Sequence, residues 1–316
     1  MERKIFQRIR KELPGIKKGV SLKEYTTFKI GGPAQYFLEV KTKQGLIEAI
    51  KKARNCGVPF FILGGGSNIL VSDEGYKGLI IRIKNQESRI KNISQRSKII
   101  EAEAGLLLSQ LVNIAFKNGL TGLEWVAGIP GTVGGAIRGN AGAFGSSMAD
   151  ILKTVEVLDT EEMKVRNFKN KECKFGYRDS IFKSKKNLII LSAILQLKKG
   201  EKQEIGKKIQ EYLEYRRRIQ PLSFFSTGCI FKNPTPEQSS VRGKPFRFFA
   251  GELIEKCGLK GKKVGRAQIS ERHANFIINA GGAKSRDVVE LINLVKKKVK
   301  EKFGIELEEE IQYLGF

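Results

Sequence analysis

Apolar residues recur along the first two hundred residues in two alternating patterns. Spacings of three and four residues predict helices over residues 2–12, 45–56 and 106–118. Short apolar or alternating runs predict strands over residues 34–40, 60–63, 79–83, 98–104, 155–158 and 188–195. The polar stretch 84–97 predicts a turn-rich connection. Strand and helix therefore alternate at the spacing of α/β units.

The last third of the chain has longer helical patterns. They predict helices over residues 204–219, 249–257 and 285–303, with strands near residues 275–279 and 307–314. A sheet covered by helices fits this arrangement. We therefore predict an α+β fold with two domains. Residues 1–200 form the first, with subdomains of about 1–84 and 85–200, and residues 201–316 form the second.

Glycine is concentrated in residues 122–145, where it occupies eight positions. The spacing fits neither a regular helix nor a strand, and it lacks the spacing of a dinucleotide fingerprint or a Walker loop. Such density marks backbone at positive φ or backbone lying close to another group. Successive N–H groups can bind an anion here, with Thr132 and Asn140 adding polar groups. A set of tight turns explains the same spacing equally well.

A glycine cluster earlier in the chain, which we call the first glycine cluster, shifts the balance between these two interpretations. Residues 64–66 are three glycines directly after the predicted strand 60–63, and Ser67 and Asn68 follow them. Glycines at the end of a strand let a ligand approach the main chain. The two clusters together indicate one extended ligand held by two backbone loops.

Composition limits the class of protein. Hydrophobic residues make up 41% of the 316 residues, as in a globular chain, and the net charge is +25. The lysines are scattered without a nucleic-acid-binding motif, so a solvated basic surface that attracts anionic small molecules is favoured over a polymer partner. The four cysteines form no C-x-x-C pair, and no signal peptide or membrane span is evident. We expect a cytoplasmic enzyme without a metal site.

Seven motifs in order resemble the UDP-N-acetylenolpyruvoylglucosamine reductase family, also called UDP-N-acetylmuramate dehydrogenase. They are Thr26–Ala34, Leu63–Leu70, Gly122–Gly145, Phe175–Ser180, Ser226–Pro234, Ala250–Glu255 and Ser270–Phe276. The resemblance implies an FAD-binding region of the PCMH type, followed by an α+β substrate domain. It also implies reduction of the enolpyruvyl ether of UDP-N-acetylglucosamine by NADPH, through non-covalent FAD, in peptidoglycan precursor synthesis.

The resemblance also implies which residues contact the cofactor. The residues that match the family's FAD loops are Thr27, Gly64, Gly65, Gly66, Ser67, Asn68, Glu124, Ile129, Pro130, Gly131, Thr132, Gly135, Asn140 and Gly142. NADPH is expected as a co-substrate.

Three residues match the family's catalytic positions. Arg178 matches the arginine that binds the substrate carboxylate, although an ion pair with Asp179 is an alternative. Cys229 stands where the family usually has a serine proton donor, and a lone cysteine is also a common inert core residue. Glu310 matches the catalytic glutamate, with Glu308 as the second choice. Strand alternation would put these two glutamates on one face.

The substrate region is less sharply defined by sequence. Tyr177, Arg217, Lys232, Asn233 and His273 lie in motifs that resemble it. The chain lacks the family's longer tyrosine-bearing loop, which indicates the subtype without it. We expect a monomer. Two alternatives remain at this point, another flavin-dependent oxidoreductase of the same fold and a basic nucleic-acid-binding protein.

Overall fold

The structure, a computed structural model, describes residues 2–83, 90–94, 96–235, 240–241, 244–245 and 248–316. The chain forms two compact units. The first comprises Met1–Lys18, Tyr36–Gly65 and Gly78–Arg216, and the second comprises Gly19–Gln35, Gly66–Lys77 and Arg217–Phe316.

Helices occur in both units. In chain order they are α1 (Glu2–Glu12), α2 (Lys43–Asn55), α3 (Leu108–Lys117), α4 (Val133–Arg138), α5 (Met148–Ile151), α6 (Ile181–Ser184), α7 (Lys202–Ile219), α8 (Ala250–Lys256) and α9 (Ser285–Phe303). Short 3-10 helices cover Leu22–Tyr25, Glu124–Val126 and Asn170–Cys173.

The strands are short on average. In chain order they are β1 (Lys17–Ser21), β2 (Pro33–Val40), β3 (Phe60–Leu63), β4 (Ile69–Val71), β5 (Tyr76–Ile83), β6 (Ile90–Ser94), β7 (Ile99–Glu103), β8 (Leu120–Thr121), β9 (Gly142–Ala143), β10 (Ser146–Ser147), β11 (Leu152–Asp159), β12 (Lys164–Lys169), β13 (Leu188–Gln196), β14 (Lys198–Lys199), β15 (Ser240–Val241), β16 (Lys244–Pro245), β17 (Lys263–Val264), β18 (Ala267–Ile269), β19 (Ile277–Asn279) and β20 (Gln312–Leu314).

A five-stranded antiparallel sheet of order β12-β11-β13-β7-β6 lies in the first unit. Its central strand β13 is almost continuously apolar, as expected for a strand covered on both faces. Helix α3 buries Leu108, Leu111, Val112 and Ala115, which share one face at helical spacing. These side chains pack in the same core as the sheet and the glycine-rich segment.

A second core in the first unit joins helices α1 and α2 to another sheet. That sheet has the strand order β1-β2-β5-β3, with β3 and β5 parallel. Helix α2 buries Leu46, Ala49, Ile50 and Ala53 in this core. The Thr42 hydroxyl accepts from the Gly45 N–H and caps the helix. The first glycine cluster follows β3 directly.

The second unit has a three-stranded antiparallel sheet of order β17-β18-β19, together with helices α8 and α9. Helix α9 buries Val288, Leu291, Ile292, Val295 and Val299 along one stripe. Strand β20 pairs in parallel with β4, so the end of the chain lies beside the segment that follows the first glycine cluster.

Among the described residues, the sequence predicted six of nine α-helices and eight of twenty strands, and most of the missed strands are short; four differences stand out. Within the predicted turn-rich stretch 84–97 the structure has strand β6, while residues 84–89 and 95 lie outside the described residues. Strand β12 was missed because it is a polar edge strand with few apolar residues. The expectation that the glycine-rich stretch contains no regular helix was wrong, because helix α4 buries Val133, Ala136 and Ile137 and Thr132 caps its start. The predicted strand 307–314 is regular only over β20.

The predicted domain boundaries stay a prediction. The second compact unit includes residues 19–35 and 66–77, which lie within the predicted first domain. Each unit is therefore made of three segments, which a single boundary near residue 200 does not describe.

Asp73 should contribute to the stability of the second unit. Its carboxylate accepts from the N–H and the hydroxyl of Ser285, at 3.0 and 2.8 Å, and so satisfies the first turn of α9. We expect Asp73→Ala to lower the free energy of unfolding by about 1–2 kcal/mol, as measured by urea denaturation. The neighbouring variant Glu74→Ala serves as control and should change it little. Equal effects of the two substitutions would contradict this role.

Candidate flavin and substrate site

The two glycine clusters contact each other through their main chains in the first unit. A Cβ added to Gly64 would lie 2.8 Å from the Thr132 hydroxyl oxygen, and one added to Gly65 would lie 2.7 Å from the Gly131 Cα. Gly65 therefore needs to be glycine for this approach, because the opposing atoms are main chain, whereas a Cβ on Gly64 would displace the Thr132 hydroxyl. The close contact means that one ligand can reach the backbone of both loops.

The second glycine loop, which surrounds Gly131 in the segment 122–145, is hydrogen-bonded to residues 104–108. The N–H of Leu108 donates to the Gly131 carbonyl, and the N–H groups of Val133 and Gly134 donate to residues 106 and 104. The Thr132 hydroxyl accepts from the Gly135 N–H at the start of α4. These hydrogen bonds hold the loop against residues 104–108.

Two predicted cofactor residues have their side-chain groups occupied by the protein. The buried Glu124 carboxylate accepts from the Thr121 hydroxyl at 2.5 Å and from the Gly122 N–H at 2.8 Å. The buried Asn140 amide donates to the Gly176 carbonyl and accepts from the Ala149 N–H. These bonds shape the loop, and a contact of either side chain with a cofactor stays a prediction.

Arg178 lies in a tight turn beside the second loop. Gly176 and Asp179 exchange backbone hydrogen bonds of 3.1 and 3.2 Å, which leaves Tyr177 and Arg178 at the tip. Arg178 has a φ of 53°, which is costly for a residue with a Cβ. A Cβ on Gly142 would lie 3.2 Å from Arg178 Nη1. Backbone strain of this kind concentrates at functional sites.

Asn140 and Ser180 anchor this turn to the glycine-rich segment. The Asn140 amide holds the Gly176 carbonyl at 2.8 Å, and the Ser180 hydroxyl donates to the Arg138 carbonyl at 2.7 Å. The Lys183 ammonium donates to the Arg178 carbonyl at 2.6 Å. A shift of the turn would therefore disturb the glycine-rich segment at residues 138–140.

In the second unit, Thr27 links the first glycine cluster to the segment before Cys229. The Thr27 N–H donates to the Gly66 carbonyl at 3.1 Å, and its hydroxyl donates to the Ser226 carbonyl at 2.7 Å. Gly66 has a φ of 62°, and a Cβ there would lie 2.0 Å from the Tyr25 carbonyl oxygen. Only glycine fits this position.

Cys229 and Glu310 lie on neighbouring backbone segments of the second unit. Cys229 pairs with Phe276 as an isolated antiparallel bridge, and the Glu310 N–H donates to the Ile230 carbonyl at 2.7 Å. The Asn68 amide donates to the Glu310 carbonyl at 3.0 Å. The structure thus brings Asn68, Cys229 and Glu310, three predicted site residues, into one local network.

The segment around Cys229 contains an unusual buried hydroxyl. Thr227 is 4% exposed, and its Oγ1 is buried without a hydrogen-bond partner among the described residues. No described heavy atom beyond its chain neighbours lies within 4 Å of the Cβ position of Gly228. A buried hydroxyl usually has a hydrogen-bond partner, and a ligand or a water could supply one to Thr227 Oγ1.

The glutamates near the C-terminus differ in their contacts. Glu308 pairs with Lys232 and Glu309 pairs with Lys296. Glu306 pairs with Lys300. The segment is not a regular strand at these positions, so the argument from strand alternation was wrong. The assignment of Glu310 stays a prediction.

Most predicted substrate residues make structural contacts. The Asn233 amide oxygen accepts from the Ala250 N–H at the start of α8, and the Arg217 carbonyl accepts from Arg272. The His273 ring accepts from the Asn275 N–H and packs 4.9 Å from Phe276, and burial lowers its pKa. Tyr177 is exposed at the tip of the turn beside Arg178.

Arg216 was missed by the sequence analysis. It is 8% exposed, and its Nε and Nη2 donate to the carbonyls of Ala127 and Trp125 at 2.9 and 3.1 Å. A signal was available, because Ile205, Ile209, Tyr212 and Arg216 recur at helical spacing on α7. An arginine on the inward face of a helix must find buried acceptors.

Two family models match the chain. Residues 34–166 match an FAD binding domain, and residues 220–314 match the C-terminal domain of UDP-N-acetylenolpyruvoylglucosamine reductase. A curated reductase of that name from Caldanaerobacter subterraneus subsp. tengcongensis is 44% identical over 93% of this chain and 92% of its own length. The chain belongs to this reductase family.

Further members of the family agree along the whole length. A reductase from Bacillus cereus is 36% identical and covers 100% of both chains. The crystal structure of the reductase from Thermus caldophilus has a TM-score of 0.76 at 37% identity, covering 95% of this chain and 99% of that one. The predicted family and fold class, an FAD-binding region followed by the family's C-terminal domain, are confirmed.

The residues present fit the family's FAD. The matched FAD domain includes both glycine clusters, and the structure places their main chains in contact without an intervening side chain. Backbone N–H groups beside a threonine hydroxyl suit a diphosphate. No helix of the described residues is long and apolar enough to cross a bilayer. All four cysteines are free thiols, and the described residues contain no cluster of metal ligands.

Replacing Arg178 by glycine tests whether the arginine side chain stabilises the turn. Glycine adopts a φ of 53° without strain, so we expect Arg178→Gly to unfold at the same temperature as wild type or a higher one, despite the lost contacts. Arg178→Lys keeps both the charge and the strain and is the matched control. A clearly lower melting temperature for the glycine variant alone would show that the side chain stabilises the turn.

Proposed function

We propose that this chain reduces the enolpyruvyl ether of UDP-N-acetylglucosamine to UDP-N-acetylmuramate, a step of peptidoglycan precursor synthesis, with FAD as cofactor and NADPH as co-substrate. Membership of the family supports the reaction. The observation that carries the site assignment is Arg178, held at positive φ in a turn bonded to the second glycine loop. Bound FAD supplies the hydride that NADPH has provided.

The reaction defines what the protein has to do. A hydride adds to the enol carbon distal to the ether oxygen, negative charge develops on the neighbouring carbon and its carboxylate, and that carbon then takes a proton. The site therefore needs a fixed cation and a proton donor. We assign the cation to Arg178, because a guanidinium matches a planar carboxylate with two parallel hydrogen bonds.

We assign the proton donor to Cys229. Its backbone is fixed by the bridge to Phe276, and the buried Thr227 hydroxyl nearby supports a ligand-binding role for this segment. Glu310 is the proposed catalytic glutamate. Its N–H is bonded to Ile230, the residue that follows Cys229, and its carbonyl is bonded to Asn68.

The two glycine loops are the proposed FAD contacts. Gly64, Gly65, Gly131 and Thr132 would present main-chain groups to the cofactor, with Thr27, Ser67 and Asn68 beside Gly66. For Tyr177, Lys232 and Arg217 we keep the proposed role in substrate binding. We place the reaction in the cytoplasm and expect a monomer, which size-exclusion chromatography would check.

An anaerobic flavin experiment tests the function. The purified protein should be yellow, lose its flavin absorbance on addition of NADPH, and regain it on addition of UDP-N-acetylglucosamine enolpyruvate. Arg178→Lys should bind FAD normally and regain its colour on the order of 10- to 100-fold more slowly, because a charged hydrogen bond is lost. A wild-type flavin that is reduced but never reoxidised by the nucleotide would contradict the proposed reaction.

The pH profile tests Cys229. A free thiol ordinarily ionises near pH 8.5, roughly, whereas a serine hydroxyl stays protonated there. We expect Cys229→Ser to stay active and to lose less activity than wild type between about pH 8 and 10. Cys56→Ser, at another partly exposed thiol, should keep the wild-type profile. Identical alkaline profiles for Cys229→Ser and wild type would exclude Cys229 as the donor.

A further inference from the structure

The glycine-rich segment contains a hairpin with an unsuitable residue at its tip. Strands β9 and β10 pair antiparallel, so Phe144 and Gly145 form a two-residue turn with φ values of 53° and 79°. Positive φ at both positions is the type I′ pattern, which prefers Asn followed by Gly. A phenylalanine there is strained, and this one is 41% exposed.

Helix α7 holds the Phe144 ring in place. The ring stacks on Tyr212 with centroids 4.1 Å apart and meets Tyr215 edge-on at 5.4 Å. The guanidinium carbon of Arg216 lies 5.3 Å from the ring centroid. We call these four residues the aromatic clamp. Their stacking and cation–π contacts offset the backbone strain at Phe144.

Arg216 also ties the clamp to the start of the same segment. It donates to the carbonyls of Trp125 and Ala127, and a Cβ on Gly128 would lie 2.9 Å from Arg216 Cδ. The last turns of α7 therefore fasten the glycine-rich segment at two places, near residues 125–128 and at Phe144.

The hairpin in turn touches the Arg178 turn. A Cβ on Gly142, at the base of the hairpin, would lie 3.2 Å from Arg178 Nη1. Asn140, just before the hairpin, holds the Gly176 carbonyl. A displacement of the hairpin would therefore change both the contact of Gly142 with the guanidinium and the hydrogen bond that holds the backbone of the Arg178 turn.

We propose that the aromatic clamp is a positioning device for the Arg178 guanidinium. The inference rests on the proposed function, in which Arg178 binds the substrate carboxylate. A clamp that merely stabilised the fold would have no need for a strained phenylalanine, since asparagine suits the turn better. The clamp instead sets the location of the hairpin, and with it the space beside Gly142 in which the guanidinium lies.

The variant Phe144→Asn tests this proposal with half-reactions. Asparagine suits the turn, so the melting temperature should equal or exceed that of wild type. FAD content and the rate of flavin reduction by NADPH should remain at wild-type values. Reoxidation by the enolpyruvyl nucleotide should slow by on the order of 10- to 100-fold, because a small misplacement of a positioned group costs that much.

Three further variants complete the test. Lys98→Asn relieves similar strain at an exposed residue before β7, with a φ of 57°, and should leave both half-reactions unchanged. Phe144→Tyr keeps the ring and should restore fast reoxidation. Tyr212→Leu removes the stacking partner from outside the hairpin and should reproduce the selective loss if Phe144→Asn fails to fold.

Two outcomes would overturn the inference. Wild-type reoxidation in Phe144→Asn would show that Arg178 does not depend on the clamp. Parallel losses of FAD and of both half-reactions in Phe144→Asn and Tyr212→Leu would show that the clamp only maintains the fold. Failure of the wild-type protein to reoxidise with the nucleotide is a different result and counts against the proposed function itself.

Discussion

The contact between the two glycine loops is the constraint on which the first unit's candidate site depends. Gly65 lies so close to the main chain of Gly131 that it cannot carry a side chain, and Gly64 lies against the Thr132 hydroxyl. Residues more than sixty positions apart are thereby locked together through main-chain atoms, which do not change rotamer. A ligand that uses both loops meets a prearranged backbone surface, so little ordering entropy is lost on binding.

Several glycines of the segment 122–145 are required by packing within the protein, among them Gly142, which is also a predicted FAD contact. Gly134 faces Ala104, Gly128 faces Arg216, and Gly142 faces Ser147 and Arg178. The two interpretations that the spacing left open, turns and a cofactor loop, are therefore not exclusive. The glycines let protein segments approach each other, and that approach creates the surface to which the cofactor is assigned.

The sequence predicted the elements with strong apolar periodicity, such as α9 and β13, because burial alone determines them. Through the family resemblance it also assigned roles to Arg178, Cys229 and Glu310, and these roles stay predictions. It could not predict what depends on contacts between distant segments. The hydrogen bond from Arg216 to the Ala127 carbonyl joins residues 89 positions apart, and the one from Asn68 to the Glu310 carbonyl joins residues 242 positions apart. The irregular path of residues 307–311 likewise follows from pairing with residues 230–232, which periodicity does not record.

Backbone strain adds an independent argument about the site. Among the described residues, seven non-glycine residues have positive φ. Asn140 lies just before the hairpin, Phe144 at its tip and Arg178 in the turn that contacts the hairpin, while the others are three lysines and a methionine. Phe144 and Arg178 each cost of order 1–3 kcal/mol in this conformation, whereas asparagine adopts it more readily, so two such residues in one region are expensive to retain. The surrounding bonds from Asn140, Ser180 and Arg216 over-determine this region, as expected where geometry is needed for chemistry and not for stability.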